Sequence, residues 1–512
     1  RRATQCLANY IIKQGAADKG VAIAYDSRNM SPEFAMEAAM TLAANGIRAY
    51  KFESLRPTPE LSFAVRELGC VAGINITASH NPPEYNGYKV YWEDGAQFTP
   101  PHDKGVTEEV LAIEDLSSVK TTDEASAIAA GKYEVIGKEI DDKYIAQVKA
   151  QVVNQKAIDE MQDQIRIVYT PLHGTGNIPA RRVMKEIGFT HVYVVPEQEL
   201  PDGNFPTVSY PNPEAKEAFE LGLKLAKEKD ADLVLATDPD ADRLGVYVKD
   251  AKSGEYIPLT GNMSGSLLCE YVLSQKQAEG KIPADGQVVK SIVSTNLIDA
   301  VAKAYGAELI EVLTGFKWIG KQILKNETTG TGTYLFGMEE SYGCLIGTYA
   351  RDKDAISATA ALCEAAAYYK QKGMTLWDAM VAMYEKYGYY KDSVKSIGLS
   401  GIEGLAKIQS IMETLRNNTP AEVGGYKVVS ARDYKLDTIR DMETGAVKPT
   451  GLPASNVLYY DLEDGAWICV RPSGTEPKIK FYFGVKGTSL EDADQKEADL
   501  GAAVMAMVDK MM

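Results

Sequence analysis

Three aspartates at alternate positions stand in the middle of this 512-residue chain, directly after a short apolar run. In an extended segment Asp238, Asp240 and Asp242 would lie on one side, and three hard carboxylate ligands suit Mg²⁺. A calcium EF-hand is excluded, because Arg243 stands at its glycine position and Lys249 at its final glutamate position. A solvated acidic turn is the alternative interpretation. It is disfavoured because three acids crowded beside an apolar strand would be costly without a cation.

A serine forms a second candidate centre, in the run TASHNPP at positions 77–83. Ser79 follows the apolar segment 71–76 and lies in a loop stiffened by two prolines, which would hold its hydroxyl outward like a nucleophile. Lys89 is close enough in sequence to carry a proton. The alternative is a turn whose Ser79 and Asn81 side chains only bond the backbone. The Gly-x-Ser-x-Gly elbow of hydrolases is absent, so acyl transfer is not favoured.

Two further segments could bind a phosphorylated sugar. Arg471, two hydroxyls and the amides around Gly474 offer what an oxyanion such as phosphate needs, although a plain Pro-Ser-Gly turn explains the same residues equally well. Glu339 and Ser341 could hold neighbouring sugar hydroxyls, but a surface turn would look the same. The charged run 351–354 precedes an alanine-rich helix, where Asp354 could simply be a helix cap.

The elements that would position these residues repeat three times along the chain. Each repeat is an apolar strand, a polar loop, a helix that ends at glycine and another strand, over residues 21–52, 165–195 and 288–313. In the first repeat we expect Ser31 to be the helix N-cap and Pro32 the first helical residue. We therefore predict three related α/β domains with mixed sheets and a fourth α+β domain. The predicted boundaries are 1–147, 148–256, 257–388 and 389–512.

Composition excludes several classes of protein. The chain is 45% hydrophobic and 25% charged, as in ordinary globular proteins, and its net charge of −16 opposes binding to nucleic acid or an anionic membrane surface. No apolar run approaches the ~18 residues that would span a bilayer. The six cysteines form no C-x-x-C pair and the four histidines lack zinc-ligand spacing, so we predict reduced thiols and a cytoplasmic location.

Taken in order, these motifs resemble the α-D-phosphohexomutase superfamily, nearest to its bacterial phosphoglucomutase and phosphomannomutase branch. The resemblance covers nearly the whole chain and implies four domains around a central active-site cleft. It also implies a phosphoserine enzyme that uses Mg²⁺ and glucose 1,6-bisphosphate and acts on a small phosphosugar, with no nucleic-acid or membrane partner and a monomer favoured. The first choice of activity is phosphoglucomutase. The alternatives are phosphomannomutase, phosphopentomutase or hexose-bisphosphate synthase, or a non-catalytic sugar-phosphate-binding protein.

The resemblance also implies roles for individual residues. Ser79 would carry the phosphoryl group, beside His80, Asn81 and the candidate general acid/base Lys89. Ser79 and the three aspartates would bind the metal, and Arg243 would contact the transferring phosphate. Substrate-binding residues implied by the resemblance are Thr314, Gly315, Phe316, Lys317, Glu339, Ser341, Lys353, Arg471, Ser473, Gly474 and Thr475. The family's opening Gly-Thr-x-Gly-x-Arg segment has no match here, so either the sequence begins after it or the protein lacks it.

Overall fold

The computed structural model describes residues 1–399, 401–474 and 477–511. These residues form two compact units. The first unit contains Arg1–Ser291, Tyr305–Ile310 and Gly315–Met380. The second contains Ile292–Ala304, Glu311–Thr314 and the described residues from Val381 onward. Thr475 belongs to the predicted phosphate-binding loop and lies outside the described residues.

The first sheet is mixed, and the Ser79 loop joins two of its strands. The strands are β1 (Val21–Tyr25), β2 (Ala49–Phe52), β3 (Ala72–Ile76), β4 (Tyr88–Trp92) and β5 (Tyr133–Ile136). Their order is β4-β3-β1-β2-β5, with β4 antiparallel to β3 and the other pairs parallel. The accompanying helices are α1 (Arg2–Lys13), α2 (Ser31–Ala44), α3 (Thr58–Glu67), α4 (His102–Ala112), α5 (Glu124–Ala129) and α6 (Lys138–Lys149).

Helix α2 begins at Ser31 as the Pro32 signal predicts, but the capping prediction is wrong. The N-cap is Met30, in the left-handed region with φ 67°, and it makes no side-chain cap. The Ser31 hydroxyl instead donates to Asp26 Oδ1 at 2.8 Å. A buried carboxylate beyond the end of β1 therefore competes successfully for the hydroxyl that the helix end would otherwise use.

The second sheet carries the aspartate loop. Its strands are β6 (Arg166–Thr170), β7 (His191–Val194), β8 (Leu233–Thr237), β9 (Leu244–Lys249) and β10 (Tyr256–Leu259), in the order β10-β9-β8-β6-β7. Its helices are α7 (Gln155–Met161), α8 (Asn177–Ile187) and α9 (Glu220–Lys229). Every residue of β8 is buried, as expected for a central strand that is covered on both faces.

The third sheet has four strands in the order β12-β11-β13-β14. They are β11 (Gly286–Ser291), β12 (Glu308–Val312), β13 (Thr333–Glu339) and β14 (Gly343–Leu345). The helices in this part of the chain are α10 (Gly261–Ala278), α11 (Leu297–Ala304), α12 (Phe316–Thr329), α13 (Ala355–Gln371) and α14 (Leu376–Tyr387).

A common strand order confirms the predicted threefold repeat. If the strands of each sheet are numbered from its own first strand, all three sheets contain the path 4-3-1-2. In each of them the fourth strand is antiparallel to the third. The fold prediction of three related α/β domains with mixed sheets is therefore correct.

The remaining chain forms the predicted α+β domain around an eight-stranded sheet. Its strands are β15 (Tyr389–Gly398), β16 (Glu422–Val423), β17 (Tyr426–Asp433), β18 (Thr438–Asp441), β19 (Val447–Lys448), β20 (Leu458–Leu462), β21 (Trp467–Pro472) and β22 (Lys478–Gly487). Its helices are α15 (Gly401–Asn417) and α16 (Leu490–Asp509). Both helices and the inner face of the sheet enclose one apolar core.

The predicted domain boundaries remain predictions. Helix α6 runs across the boundary at 147/148, and strand β10 runs across the boundary at 256/257. Among the described residues, no helix combines the length and the apolar character that crossing a bilayer requires.

Candidate active site

The three aspartates form a buried cluster at the end of β8. Asp238 and Asp240 are fully buried and Asp242 is 2% exposed, which rules out the solvated acidic turn. One carboxylate oxygen from each lies within 4.8 Å of the others. The run is not extended as the spacing predicted: β8 stops at Thr237, and Ala241 takes a left-handed φ of 50°. The carboxylates therefore converge through a turn and not through strand alternation.

The aspartate turn is backed by a glycine from the loop after β6. A Cβ added to Gly174 would lie 2.4 Å from the Pro239 Cα, closer than side chains can pack. The next residue, Thr175, donates its backbone N–H to the Pro239 carbonyl at 2.8 Å. Glycine at 174 thus permits the close backbone approach that fixes the turn.

Ser79 reaches the aspartate cluster directly. Its Oγ donates to Asp238 Oδ2 at 2.9 Å and lies 3.3 Å from His80 Nδ1. The serine takes a left-handed φ of 53°, and its backbone N–H donates to Thr77 Oγ1 at 2.8 Å. The structure therefore brings the predicted nucleophile and the predicted metal ligands together, although they are distant in sequence.

Two lysines neutralise part of the cluster's negative charge. Lys89 Nζ donates to Asp240 Oδ2 at 2.8 Å and lies 3.8 Å from Asp242 Oδ2. Lys353 Nζ lies 3.0 Å from Asp242 Oδ2 and 3.3 Å from Asp352 Oδ1. Burial opposes the charge of Lys89, but the two facing carboxylates dominate and raise the pKa of Lys89 to about 12. Lys89 is thus held as an ammonium ion in this arrangement.

The three carboxylates have different electrostatic environments. Burial and then repulsion from its two neighbours raise the pKa of Asp238 well above its ordinary value. Burial also raises the pKa of Asp242, against the attraction of Lys353. Burial would raise the pKa of Asp240 too, but Lys89 and a hydrogen bond from Thr58 outweigh it and hold that pKa below its ordinary value.

The cluster fits a divalent cation. Asp240 Oδ1 and Asp242 Oδ1 are buried oxygens without a hydrogen-bond partner among the described residues. Unpaired buried oxygens are costly unless something positive faces them. Asp238 Oδ1, in contrast, accepts from the backbone N–H groups of Asp242 and Arg243 at 3.1 and 3.0 Å. Three converging carboxylates, two of which have an oxygen without a hydrogen bond, form the hard-oxygen ligand set that Mg²⁺ prefers.

Arg243 and His80 line the same region. Arg243 Nη1 donates to Glu214 Oε1 at 2.8 Å, while its buried Nε lies 4.0 Å from Asp242 Oδ1 and has no hydrogen-bond partner among the described residues. His80 is partly buried, and burial together with the charge of Arg243 lowers the pKa of its imidazole to about 3. His80 is therefore a neutral imidazole in this arrangement.

The predicted sugar-binding residues gather around the start of α12. Gly315 is the N-cap with a φ of 115°, which favours glycine, and its N–H donates to Glu339 Oε1 at 2.6 Å. Lys353 Nζ lies 5.7 Å from the centre of the Phe316 ring. Burial raises the pKa of Glu339 to about 7. The structure therefore joins Gly315, Phe316 and Glu339 to the lysine that also faces the aspartates.

The other predicted sugar-binding residues are less constrained. Lys317 and Ser341 are partly exposed, and Lys317 Nζ lies 5.5 Å from the centre of the Trp318 ring. Thr314 belongs to the second unit, and its hydroxyl is buried without a hydrogen-bond partner in the described part of the chain. Asp354 caps α13 by accepting from the backbone N–H groups of Ile356 and Ser357, so the capping interpretation of this residue is correct.

The predicted phosphate-binding loop lies in the second unit, between β21 and β22. Arg471 is half-buried at the end of β21, opposite Lys480 in the antiparallel register. Its Nη1 donates to the Tyr482 hydroxyl at the long distance of 3.4 Å. Ser473 is partly exposed and Gly474 is exposed. The described part of this loop therefore places a half-buried arginine and a partly exposed serine near the surface.

Comparison with known proteins identifies a family for the whole chain. Four family models match in chain order: phosphoglucomutase/phosphomannomutase α/β/α domains I, II and III at residues 1–117, 142–254 and 260–387, and the C-terminal domain at residues 413–499. The chain belongs to the phosphoglucomutase/phosphomannomutase family.

Curated and solved relatives agree with this family assignment. A phosphoglucomutase from Staphylococcus saprophyticus is 36% identical over 97% of this chain and 88% of its own length. A Haemophilus influenzae protein described as "Probable phosphomannomutase" is 37% identical over 97% and 94%. The crystal structure of Paramecium pp63/parafusin, a phosphoglucomutase, shares the fold with a TM-score of 0.71 at 18% identity, covering 100% of this chain and 90% of that one.

Two residues that support this family member's candidate site, Thr58 and Asn75, were missed from its sequence, and Asp352 was noted only as part of the charged run 351–354. Thr58 Oγ1 donates to Asp240 Oδ2 at 2.7 Å, and Asn75 Nδ2 donates to Thr58 Oγ1 at 2.7 Å. Asp352 Oδ2 accepts from the Tyr91 hydroxyl and Gln97 Nε2, both at 3.0 Å. The Pro57-Thr58-Pro59 run marks the start of α3 and could have drawn attention to Thr58, but no local signal pairs it with Asp240.

Proposed function

We propose that this family member is a phosphoglucomutase, which interconverts α-D-glucose 1-phosphate and glucose 6-phosphate. The observation that carries the proposal is the Ser79 hydroxyl, which donates at 2.9 Å to a buried three-carboxylate cluster. Binding a phosphosugar without chemistry would need neither this serine nor the cluster. The name of the Staphylococcus relative supports glucose as the sugar.

The proposed reaction consists of two phosphoryl transfers. In the first, the bond from phosphorus to Ser79 Oγ breaks and a bond forms to the 6-oxygen of glucose 1-phosphate, whose hydroxyl proton leaves. The product, glucose 1,6-bisphosphate, then reorients in the site. In the second transfer the bond from phosphorus to the 1-oxygen breaks, a bond forms to Ser79 Oγ, and the 1-oxygen regains a proton. Glucose 6-phosphate is released and the phosphoserine is restored. Such transfers depend mainly on positioning and on neutralising negative charge.

Asp238, Asp240 and Asp242 would hold Mg²⁺ in this proposal, with a Ser79 or phosphate oxygen completing the site. When bound, the metal supplies positive charge next to the transferring group. Thr58 and Lys89 both donate to Asp240 Oδ2, which fixes the carboxylate, while Oδ1 accepts no hydrogen bond from the residues that the structure describes.

The chain's own cations have separate proposed tasks. Arg243 Nε faces Asp242 at 4.0 Å and makes no hydrogen bond within the described part of the chain, and Arg243 would contact the moving phosphoryl group. Lys89 would act as general acid/base. Its protonated state supports the general-acid role, in which Lys89 donates a proton to the oxygen from which the phosphoryl group departs. Lys353 lies between Asp242 and the Phe316 ring, so it would link the reacting end to the sugar.

The sugar and its second phosphate would be held by the remaining motifs. The hydrogen bond from Gly315 fixes one oxygen of Glu339, which leaves the other to accept from sugar hydroxyls beside Ser341. Phe316 and Lys317 would complete this loop. Arg471, Ser473 and Gly474 would bind the phosphate that is not reacting.

A coupled assay tests the proposal. Glucose 1-phosphate, Mg²⁺ and a trace of glucose 1,6-bisphosphate are supplied, and glucose 6-phosphate is read out through a dehydrogenase. We expect turnover with a higher kcat/KM for glucose 1-phosphate than for mannose 1-phosphate or ribose 1-phosphate. A preference for mannose would instead support phosphomannomutase, the description of the Haemophilus relative. Binding of phosphosugars without turnover would support the non-catalytic alternative.

A monomeric state and a cytoplasmic location are predicted from the sequence and remain predictions. Sedimentation of the purified chain measures the first, and fractionation of cells measures the second.

A further inference from the structure

Arg28 is a buried arginine to which the resemblance assigns no role. Its side chain and that of Asp26 are both fully enclosed, with Arg28 Nε 3.2 Å from Asp26 Oδ2. A buried ion pair is weak evidence for stability, because desolvation of the two charges offsets much of their attraction. The other contacts of the guanidinium indicate a role besides stability.

The guanidinium of Arg28 holds the loop that contains the reactive serine. Its four Nη protons match four backbone carbonyls of that one loop: Ser79 at 2.6 Å, Asn81 at 2.5 Å, Pro82 at 2.8 Å and Tyr85 at 2.9 Å. Both Nη atoms are therefore fully used by the loop, while Nε faces Asp26. The four carbonyls lie outside the sheet ladders, and only that of Pro82 is also recorded as accepting a backbone N–H, from Tyr85 at 3.1 Å, so Arg28 supplies most of their donors in the described structure.

The shape of this loop also needs outside support. Ser79 has a φ of 53°, a value that residues other than glycine rarely adopt. Such a conformation persists only where surrounding contacts determine it. The carbonyl held by Arg28 Nη2 belongs to Ser79 itself, so the hydrogen bond acts on the strained residue and sets where its Oγ points.

Arg28 also contacts a segment near the second sheet. The Phe205 ring lies 5.1 Å from the centre of the guanidinium. A Cβ on Gly203 would lie 2.4 Å from the Asn29 backbone nitrogen, and Asn29 Nδ2 donates to Asn204 Oδ1 at 2.9 Å. Arg28 therefore contacts the serine loop on one side and, together with Asn29, the 203–205 segment of the aspartate-bearing domain on the other.

We propose that Arg28 is a positioning residue, which sets the Ser79 hydroxyl against Asp238 by holding the serine loop to Asp26 and to the 203–205 segment. The proposal rests on the proposed phosphoglucomutase function and adds a residue to it. Arg28 exchanges no proton and touches no reacting atom. Its planar fork satisfies four carbonyls at once, which the single ammonium of lysine cannot do.

The first experiment compares Arg28→Lys with a matched control, Arg56→Lys. Arg56 is also a largely buried arginine of the first unit, but its fork holds Asp141 at 2.7 and 2.9 Å and not the serine loop. We expect Arg28→Lys to lower kcat at least tenfold and to slow Ser79 phosphorylation by glucose 1,6-bisphosphate equally. The KM for glucose 1-phosphate should change less than about threefold. Wild-type kcat in Arg28→Lys, or an equal loss in Arg56→Lys, would overturn the proposal.

A second readout does not depend on turnover. Backbone amide exchange across residues 79–87 should be faster in Arg28→Lys than in wild type and unchanged in Arg56→Lys. Unchanged amide exchange in Arg28→Lys would contradict the proposal that Arg28 holds this loop, even if the activity of the variant fell. If exchange is faster in Arg28→Lys than in the wild type but the wild type never turns over a phosphosugar, the proposed function fails while the role of Arg28 in holding the loop is confirmed.

Chemical rescue separates positioning from folding. Arg28→Ala leaves a cavity next to Asp26, and added ethylguanidinium should restore part of its kcat without affecting Arg56→Ala. If Arg28→Ala does not fold, the lysine variant and its amide exchange decide the question. A folded Arg28→Ala that ethylguanidinium does not rescue, together with normal loop exchange, would refute the proposal.

Discussion

The Ser79–aspartate region and the Arg471 loop are both proposed to bind phosphate, yet they are built differently. In the first region the three carboxylates are at most 2% exposed, and each cation has a carboxylate partner, as in the contact of Lys89 with Asp240 at 2.8 Å. In the second, Arg471 is half-buried, and its hydrogen bond to Tyr482 is long at 3.4 Å.

This difference fits the two tasks that the proposed reaction sets. A group that stabilises a transition state is effective when it is fixed before the reaction begins, because it then costs no reorganisation. A group that must accept a phosphate from either end of a turning bisphosphate gains from an open approach and few fixed partners. The comparison therefore predicts that substitutions in the buried region mainly lower kcat, whereas substitutions in the loop mainly raise KM.

The largest effect is expected for Ser79→Ala. Without Oγ there is no atom to carry the phosphoryl group, so kcat should fall by on the order of 10⁴-fold or more. Intact-mass analysis after incubation with glucose 1,6-bisphosphate should show one added phosphoryl group on the wild type and none on the variant. The exposed Ser117 provides the control, since Ser117→Ala should label normally. Equal labelling of wild type and Ser79→Ala would remove Ser79 from its role.

Asp240→Asn should have the next largest effect. The amide is a poor ligand for a hard dication, and its nitrogen would disturb the contacts with Thr58 and Lys89. Because changing residues that merely orient a ligand costs 10–100-fold in affinity or activity, we expect at least about a hundredfold loss. Calorimetry should show weaker Mg²⁺ binding alongside the lower kcat. The exposed Asp230 is the control, and full activity of Asp240→Asn in chelator would contradict the metal site.

Arg471→Ala should act on KM first. The loss of charge-assisted hydrogen bonds worth ~1.5–3 kcal/mol each predicts a fall in kcat/KM of about tenfold to a few hundredfold. If phosphate binding also positions the substrate hydroxyl, kcat will fall too. Arg471→Lys should recover part of the loss, since a point charge cannot reproduce the fork. Arg440→Ala, at an exposed position of β18, is the matched control. Unchanged kcat/KM in Arg471→Ala would identify the loop as a plain turn.

Local patterns predicted most of the fold and singled out Ser79 and the three aspartates, which the structure brings together, whereas residues 314–317 and Lys353 came from the family resemblance alone. The first predicted repeat opens with an apolar strand at residue 21, where β1 lies, because alternating strand and helix segments carry clear apolar runs and glycine stops. The contacts that orient the site could not be predicted in the same way. Thr58 and Asp240 are distant in sequence, and the turn at Ala241 depends on how Gly174 packs against it. The cap predicted at Ser31 was wrong for another reason: its partner Asp26 is only five residues away, but no local pattern shows that this buried carboxylate takes the hydroxyl.

Tyr482→Phe should have the smallest effect. The variant removes the hydroxyl that accepts from Arg471 and keeps the buried ring, which lies opposite Cys469 in the sheet. A hydrogen bond of 3.4 Å is weak, so its loss should cost about 0.5 kcal/mol, or roughly a twofold change in KM. Steady-state kinetics with glucose 1-phosphate measures it, with Arg471→Ala as the reference for a complete loss. A fall in kcat of tenfold or more would mean that Arg471, like Lys89, has to be fixed in place before substrate arrives, and the contrast between the two regions would then disappear.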